Sequence, residues 1–250
     1  MRREDFMIEV CANGVESCLA AQQGGADRVE LCAGIPEGGT TPSYGEIKVA
    51  RRVLTSTHLH VIIRPRGGDF LYTDLEVERM AQDIAMCRDL GVDGVVFGCL
   101  KADGTIDMER NRYLLECSRG MSVTMHRAFD RAAAPSQALE DLIALGFDRI
   151  LTSGQQPKAF QGVELLSRLN RQAAGRISLM AGSGVTEQNI RDIHEATGLL
   201  EFHFSAREPQ PSGMQYVNPD LYMGRPGANE AALEYTTARR VAATITQLMR

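Results

Sequence analysis

A chain of 250 residues, 44% hydrophobic and 24% charged, has enough apolar material for a full core and lies in the ordinary range of globular proteins. Its net charge of -5 comes from Lys/Arg and Asp/Glu mixed throughout, which leaves no basic footprint for nucleic acid. No window approaches the roughly 18 apolar residues of a membrane span, and the opening MRREDFMIEV lacks the apolar core of a secretory signal, so a cytoplasmic protein is expected.

The first readable unit is IEVCANGVESCLAAQQGGADRVELC, residues 8 to 32. Strand side chains alternate between faces, so Ile8 and Val10 share one side while Glu9 and Cys11 share the other; Val29 and Leu31 against Glu30 and Cys32 repeat the division. A helix over 15 to 23, stopped by Gly24-Gly25, joins the two strands into a parallel strand-helix-strand unit. Further on, HLHVIIRP ends at Pro65 and leads into RPRGGDF. Capping-box spacings at Ser43–Glu46 and Thr73–Glu76 open helices near 44 to 54 and 74 to 90. Strand 93 to 98, helix 107 to 118, strand 122 to 129 and a helix begun by Pro135 follow. The second half reads as strand 148 to 154, helix 158 to 173, strand 177 to 184, helix 186 to 196 and strand 200 to 206. A Pro/Gly-rich segment, 207 to 227, has the length of a functional lid, and an amphipathic helix over 229 to 249 ends the chain.

An internal echo supports this succession. Gly25-Ala26-Asp27, Gly91-Val92-Asp93 and Gly146-Phe147-Asp148 each precede an aliphatic strand, with Gly198-Leu199-Leu200 as a weaker fourth. A repeat at every second strand-helix unit suits a closed (β/α)8 TIM barrel, one domain over residues 1 to 250. An open doubly wound sheet is the alternative, but no GxGxxG follows the first strand.

If the apolar strand faces pack on the helices, the other faces line the barrel with Glu9, Glu30, Arg64, Thr124, His126, Glu201 and His203. Buried charges of this kind must pair within a polar cavity. The arrangement reads either as a structural salt-bridge network or as an active site: Glu9 or Glu30 as base, His126 as acid/base or electrophile, Arg64 orienting an anion, and His203 beside them. Ser153-Gly154 and Gly182-Ser183-Gly184, at strand ends, could present backbone N–H groups to a phosphate or carboxylate. Arg66 with Gly67-Gly68-Asp69 is either a substrate loop or a tight turn. Six cysteines without a CxxC pair or a secretory signal read as free thiols. Cys11 and Cys32, at matching strand ends, could lie close enough to share a soft ion such as Cu(I), though spacing alone favours unliganded thiols.

The segments GGADRVELC (24 to 32), EGGTTPS (37 to 43), IRPRGGDF (63 to 70), HRAFD (126 to 130) and EFHFSA (201 to 206) closely resemble the CutC family of copper homeostasis proteins, in order from about residue 7 to 250. The resemblance implies a (β/α)8 barrel, a cytoplasmic location, self-association, and a Cu(I) site whose cysteines match Cys11 and Cys32. Two functions follow: a copper-binding homeostasis protein, or a barrel enzyme acting on a small phosphorylated or carboxylated metabolite. The residues alone do not decide whether the chain is an enzyme.

Overall fold

The computed structural model describes residues 2–216, 218, 221 and 232–249. Parallel strands close into a barrel in chain order: β1 (Met7–Ala12), β2 (Arg28–Leu31), β3 (His58–Ile62), β4 (Gly94–Phe97), β5 (Ser122–Met125), β6 (Arg149–Thr152), β7 (Ser178–Gly182) and β8 (Glu201–Phe204), which pairs back onto β1. Outside lie α1 (Val15–Gln23), α2 (Tyr44–Val53), α3 (Asp74–Asp89), α4 (Met108–Cys117), α5 (Pro135–Leu145), α6 (Val163–Ala173), α7 (Ile190–Thr197) and α8 (Ala238–Gln247). This is the expected single-domain (β/α)8 barrel.

The outward strand faces supply the core. Ile8, Val10, Val29, Leu31, Leu59 and Val61 are fully buried against helix residues such as Ile47, Met80 and Ile84. Burying a side chain of that size contributes about 1.5–3 kcal/mol. Thr73 and Glu76 form the full capping box that starts α3, whereas Ser43 caps α2 without a returning bond from Glu46.

The glycine-aspartate echo has a specific cause. Asp27, Asp93 and Asp148 each stand just before an even-numbered strand and accept the backbone N–H of the preceding odd-numbered one, from Ile8, Leu59 and Val123, each at 2.7 Å. A carboxylate at that point fixes where the odd strand begins. The fourth echo has Leu200 instead, and there only its backbone carbonyl is used, by the Met7 N–H.

Several boundaries differ from expectation. β5 stops at Met125, because His126 Nδ1 accepts the Ala128 N–H and starts a 3-10 turn over Arg127–Arg131. A 3-10 turn at Ala159–Gly162 precedes α6. α7 begins at Ile190, after a turn in which Asn189 Oδ1 accepts the Thr186 N–H. The segment expected as a structureless lid over 207 to 227 opens instead with a strand, β9 (Arg207–Pro211), antiparallel to β10 (Ala232–Thr236). The last helix therefore starts at Ala238 rather than 229; residues 217, 219–220 and 222–231 lie outside the described part of the chain. Pro209 and Pro211 have no N–H to give β10, so Glu208 and Gln210 make the ladder bonds and the prolines blunt the free edge.

Candidate active site and metal centre

Alternation and register stack the inward side chains in levels contributed by alternate strands, as barrel interiors require. The even strands place Arg28, Gly94, Arg149 and Glu201 at the bottom. Above them the odd strands place Glu9, His60, Thr124 and Met180, then the even strands Glu30, Val96, Leu151 and His203. Cys11, Ile62, His126 and Gly182 reach the mouth. Ile62, Val96, Leu151 and Met180 are accordingly buried yet separate from the helix-facing core. Where this interior is crowded the chain has glycine: a Cβ on Gly94 would run into the His60 ring, and one on Gly182 into Leu151.

The lower levels form one ionic network. Arg28 Nε pairs with Glu9, Arg28 Nη2 lies 3.1 Å from Glu201, and Arg149 Nε lies 2.8 Å from Glu201. His203 Nδ1 meets Glu9 Oε1 at 2.7 Å, while its Nε2 lies 3.7 Å from Glu30. Burial opposes charge on Glu9, but Arg28 and His203 hold its carboxyl well below the usual carboxylate range. Among the described residues Glu30 has no guanidinium paired with it; burial, against the pull of His203, pushes it up to about 8, so it carries a proton at neutral pH. His203 is raised despite burial by its bonds to Cys11 and Glu9. Burial holds His60 and His126 down to about 3, and Arg64 adds to the effect on His126.

Above this network lies a cavity of about 470 Å³. Its walls include Cys11, Cys32, Glu30 and His203, together with Arg64, Phe70 and His126, and Ser183, Gly184 and Arg207 also line it. Cys11 and Cys32 are not matching strand positions: Cys11 pairs with Glu30, and Cys32 stands two residues further along. Their sulfurs nevertheless come within 4.0 Å. The hydrogen bond with Cys32, joined by His203, lowers Cys11 well below the thiol range, and the same bond with burial raises Cys32. Sγ of both and a carboxylate oxygen of Glu30 lie within 4.8 Å of one another.

Glu30, Cys11, Cys32, Arg64, His126 and His203 thus converge on the cavity. Glu9 is fully buried beneath it, which fits a residue that positions His203 rather than a base. Arg64 is not the counter-charge of the acids; Arg28 is. The Arg64 guanidinium bonds the carbonyls of Glu37, Gly39 and Gly68 instead. Arg66 pairs with Glu76 and Asp69 and bonds the Leu71 carbonyl, which makes its loop a tight turn. The Ser153 and Gly154 N–H groups are already used, by Asp130 and by the Thr152 hydroxyl, so this loop holds the protein's own carboxylate in place of a ligand. Gly182 provides room, and Ser183 and Gly184, both at positive φ, line the cavity.

Sequence reasoning missed Arg28, His60, Arg149, Asp130 and Arg207. Alternation alone reaches the first: Arg28 lies two residues before Glu30 and must share its face.

A family model described as the CutC family matches residues 6–208. A family protein CutC of Bacteroides thetaiotaomicron is 61% identical over 241 residues, covering 96% of this chain and 97% of that protein. A human relative named copper homeostasis protein cutC homolog is 47% identical, over 94% of this chain and 86% of that one. Among solved structures, the putative copper homeostasis protein CutC from Streptococcus agalactiae superposes with a TM-score of 0.77 at 35% identity, covering 80% of this chain and 98% of that one. A thiamine phosphate pyrophosphorylase from Pyrococcus furiosus, at 14% identity and TM-score 0.61, shares the fold alone.

Proposed function

The chain belongs to the CutC family, and from that premise we propose that it is a cytoplasmic, self-associating copper homeostasis protein that takes Cu(I) at Cys11 and Cys32. The observation that carries this is the approach of the two sulfurs to 4.0 Å on the wall of the cavity at the barrel mouth. Metal–thiolate bonds run to about 2.3 Å, so sulfurs at that separation can share one ion, and thiolate softness selects Cu(I) over Mg or Ca. Glu30, within the same cluster, would be a further oxygen donor once deprotonated.

Anaerobic Cu(I) titration against a competing chelator tests the proposal. Cys11→Ala and Cys32→Ala should each lose the tight site, while Cys87→Ala, in the helix-facing core, should keep it. Unchanged affinity in either strand-end variant removes the two-thiolate site.

A second reading, an enzyme acting on a small anion at the barrel mouth, is favoured by the same cavity having a buried guanidinium and a neutral imidazole among its lining. In that reading Glu30 serves as a proton donor rather than a base, because burial keeps it protonated to about 8.

A further inference from the structure

Arg64 is 5% exposed, and its guanidinium donates to three main-chain carbonyls; among the described residues no carboxylate pairs with it. An uncompensated buried charge is costly, so a counter-ion beyond the described residues is expected. Its Nε, still a donor, has no hydrogen-bond partner. Phe70 links it to a second unsatisfied donor: the Arg64 guanidinium carbon sits 4.9 Å from the Phe70 ring centroid, and the His126 ring packs on Phe70 at 4.8 Å. His126 is 4% exposed, and its Nδ1 accepts the Ala128 N–H, which leaves the proton on Nε2. That Nε2–H is buried without a partner. Arg64 and His126 both line the cavity.

From this pair of idle donors beside one unpaired positive charge we infer that the part of the cavity wall formed by Arg64 and His126 is a binding site for a small organic carboxylate, held by those two side chains. A carboxylate matches the site's single cation and its acceptor-only demand. A phosphate dianion asks for more charge and more N–H donors, and the nearby β6 loop that could have offered them is filled by Asp130. The alternative occupant, a water molecule, would satisfy the donors but not the charge. The inference does not depend on copper.

The test uses reduced, metal-free, full-length protein with pyruvate as the carboxylate probe and inorganic phosphate as the comparison, so its outcome leaves the thiol proposal untouched. In 15N-histidine-labelled protein, pyruvate should shift the His126 Nε2–H resonance, assigned with His126→Gln, while phosphate should not. Arg64→Lys, which keeps the charge but loses the planar donor edge, should weaken pyruvate binding roughly tenfold or more. Because Arg64 also ties two loops together, the wild-type resonance is the deciding measurement if that variant fails to fold. A His126 signal unmoved by saturating pyruvate overturns the site, and an equal response to phosphate overturns the assignment to carboxylates.

Discussion

Glu9 is fully buried with Arg28 and His203 as its partners, so removing its charge leaves both without their main counter-ion. Glu9→Gln should cost about 3–5 kcal/mol in urea denaturation, nearer the lower end because Arg28 retains Glu201. The two depressed histidines set an acid limit. His60 and His126 stay neutral in the folded state down to about 3, whereas in the unfolded chain they protonate below 6.5. Between those values the unfolded state binds more protons, so stability should fall as pH is lowered from 6.5 towards 3. Urea midpoints at several pH values check this, and His60→Leu should flatten the slope. Glu30 acts in the opposite sense: folded, it keeps its proton to about 8, so its contribution declines as pH rises from 4.5 through 8. At this scale the inward acids, the two histidines at 126 and 203 and the thiol pair were legible from alternation. The partners of Arg64 were not, because they are carbonyls of two loops, Glu37, Gly39 and Gly68, which face alternation does not encode.

The aspartates that repeat along the chain act on elements rather than on chemistry. Asp93 accepts the Leu59 N–H and pairs with Arg51, so Asp93→Ala should loosen the start of β3 and cost about 1.5–3 kcal/mol in the same denaturation assay. Hydrogen exchange at the Leu59 amide should accelerate with it. This repeat was visible in the sequence because each copy needs the same residue at the same place. The β9–β10 pair was not, since it joins segments far apart in sequence. Its attachments are tertiary: Asn13 Nδ2 bonds the Glu234 carbonyl at 2.6 Å, and Ser17 Oγ accepts the Thr236 N–H at 3.0 Å. No periodicity within 207 to 236 encodes those contacts, and the two prolines of β9 read locally as loop.

At the scale of the molecule, self-association is part of the function proposed above and rests on the resemblance, with no face described above arguing for it. Sedimentation at micromolar concentration should give a mass above the 27.4 kDa of one chain; a clean monomer would refute it. Among the described residues no helix is long and apolar enough to cross a membrane. The ionic floor has a consequence for traffic. Arg28, Arg149 and Glu201 close the lower end of the barrel with side chains 4%, 12% and 15% exposed, and Glu9 seals the level above. Among the described residues the interior is therefore a well closed at its floor and entered from the mouth. Whatever enters must leave by the same route, so two occupants would obey last in, first out: a guest near the opening would act as a stopper, lengthening the residence time of one seated beneath it without touching it.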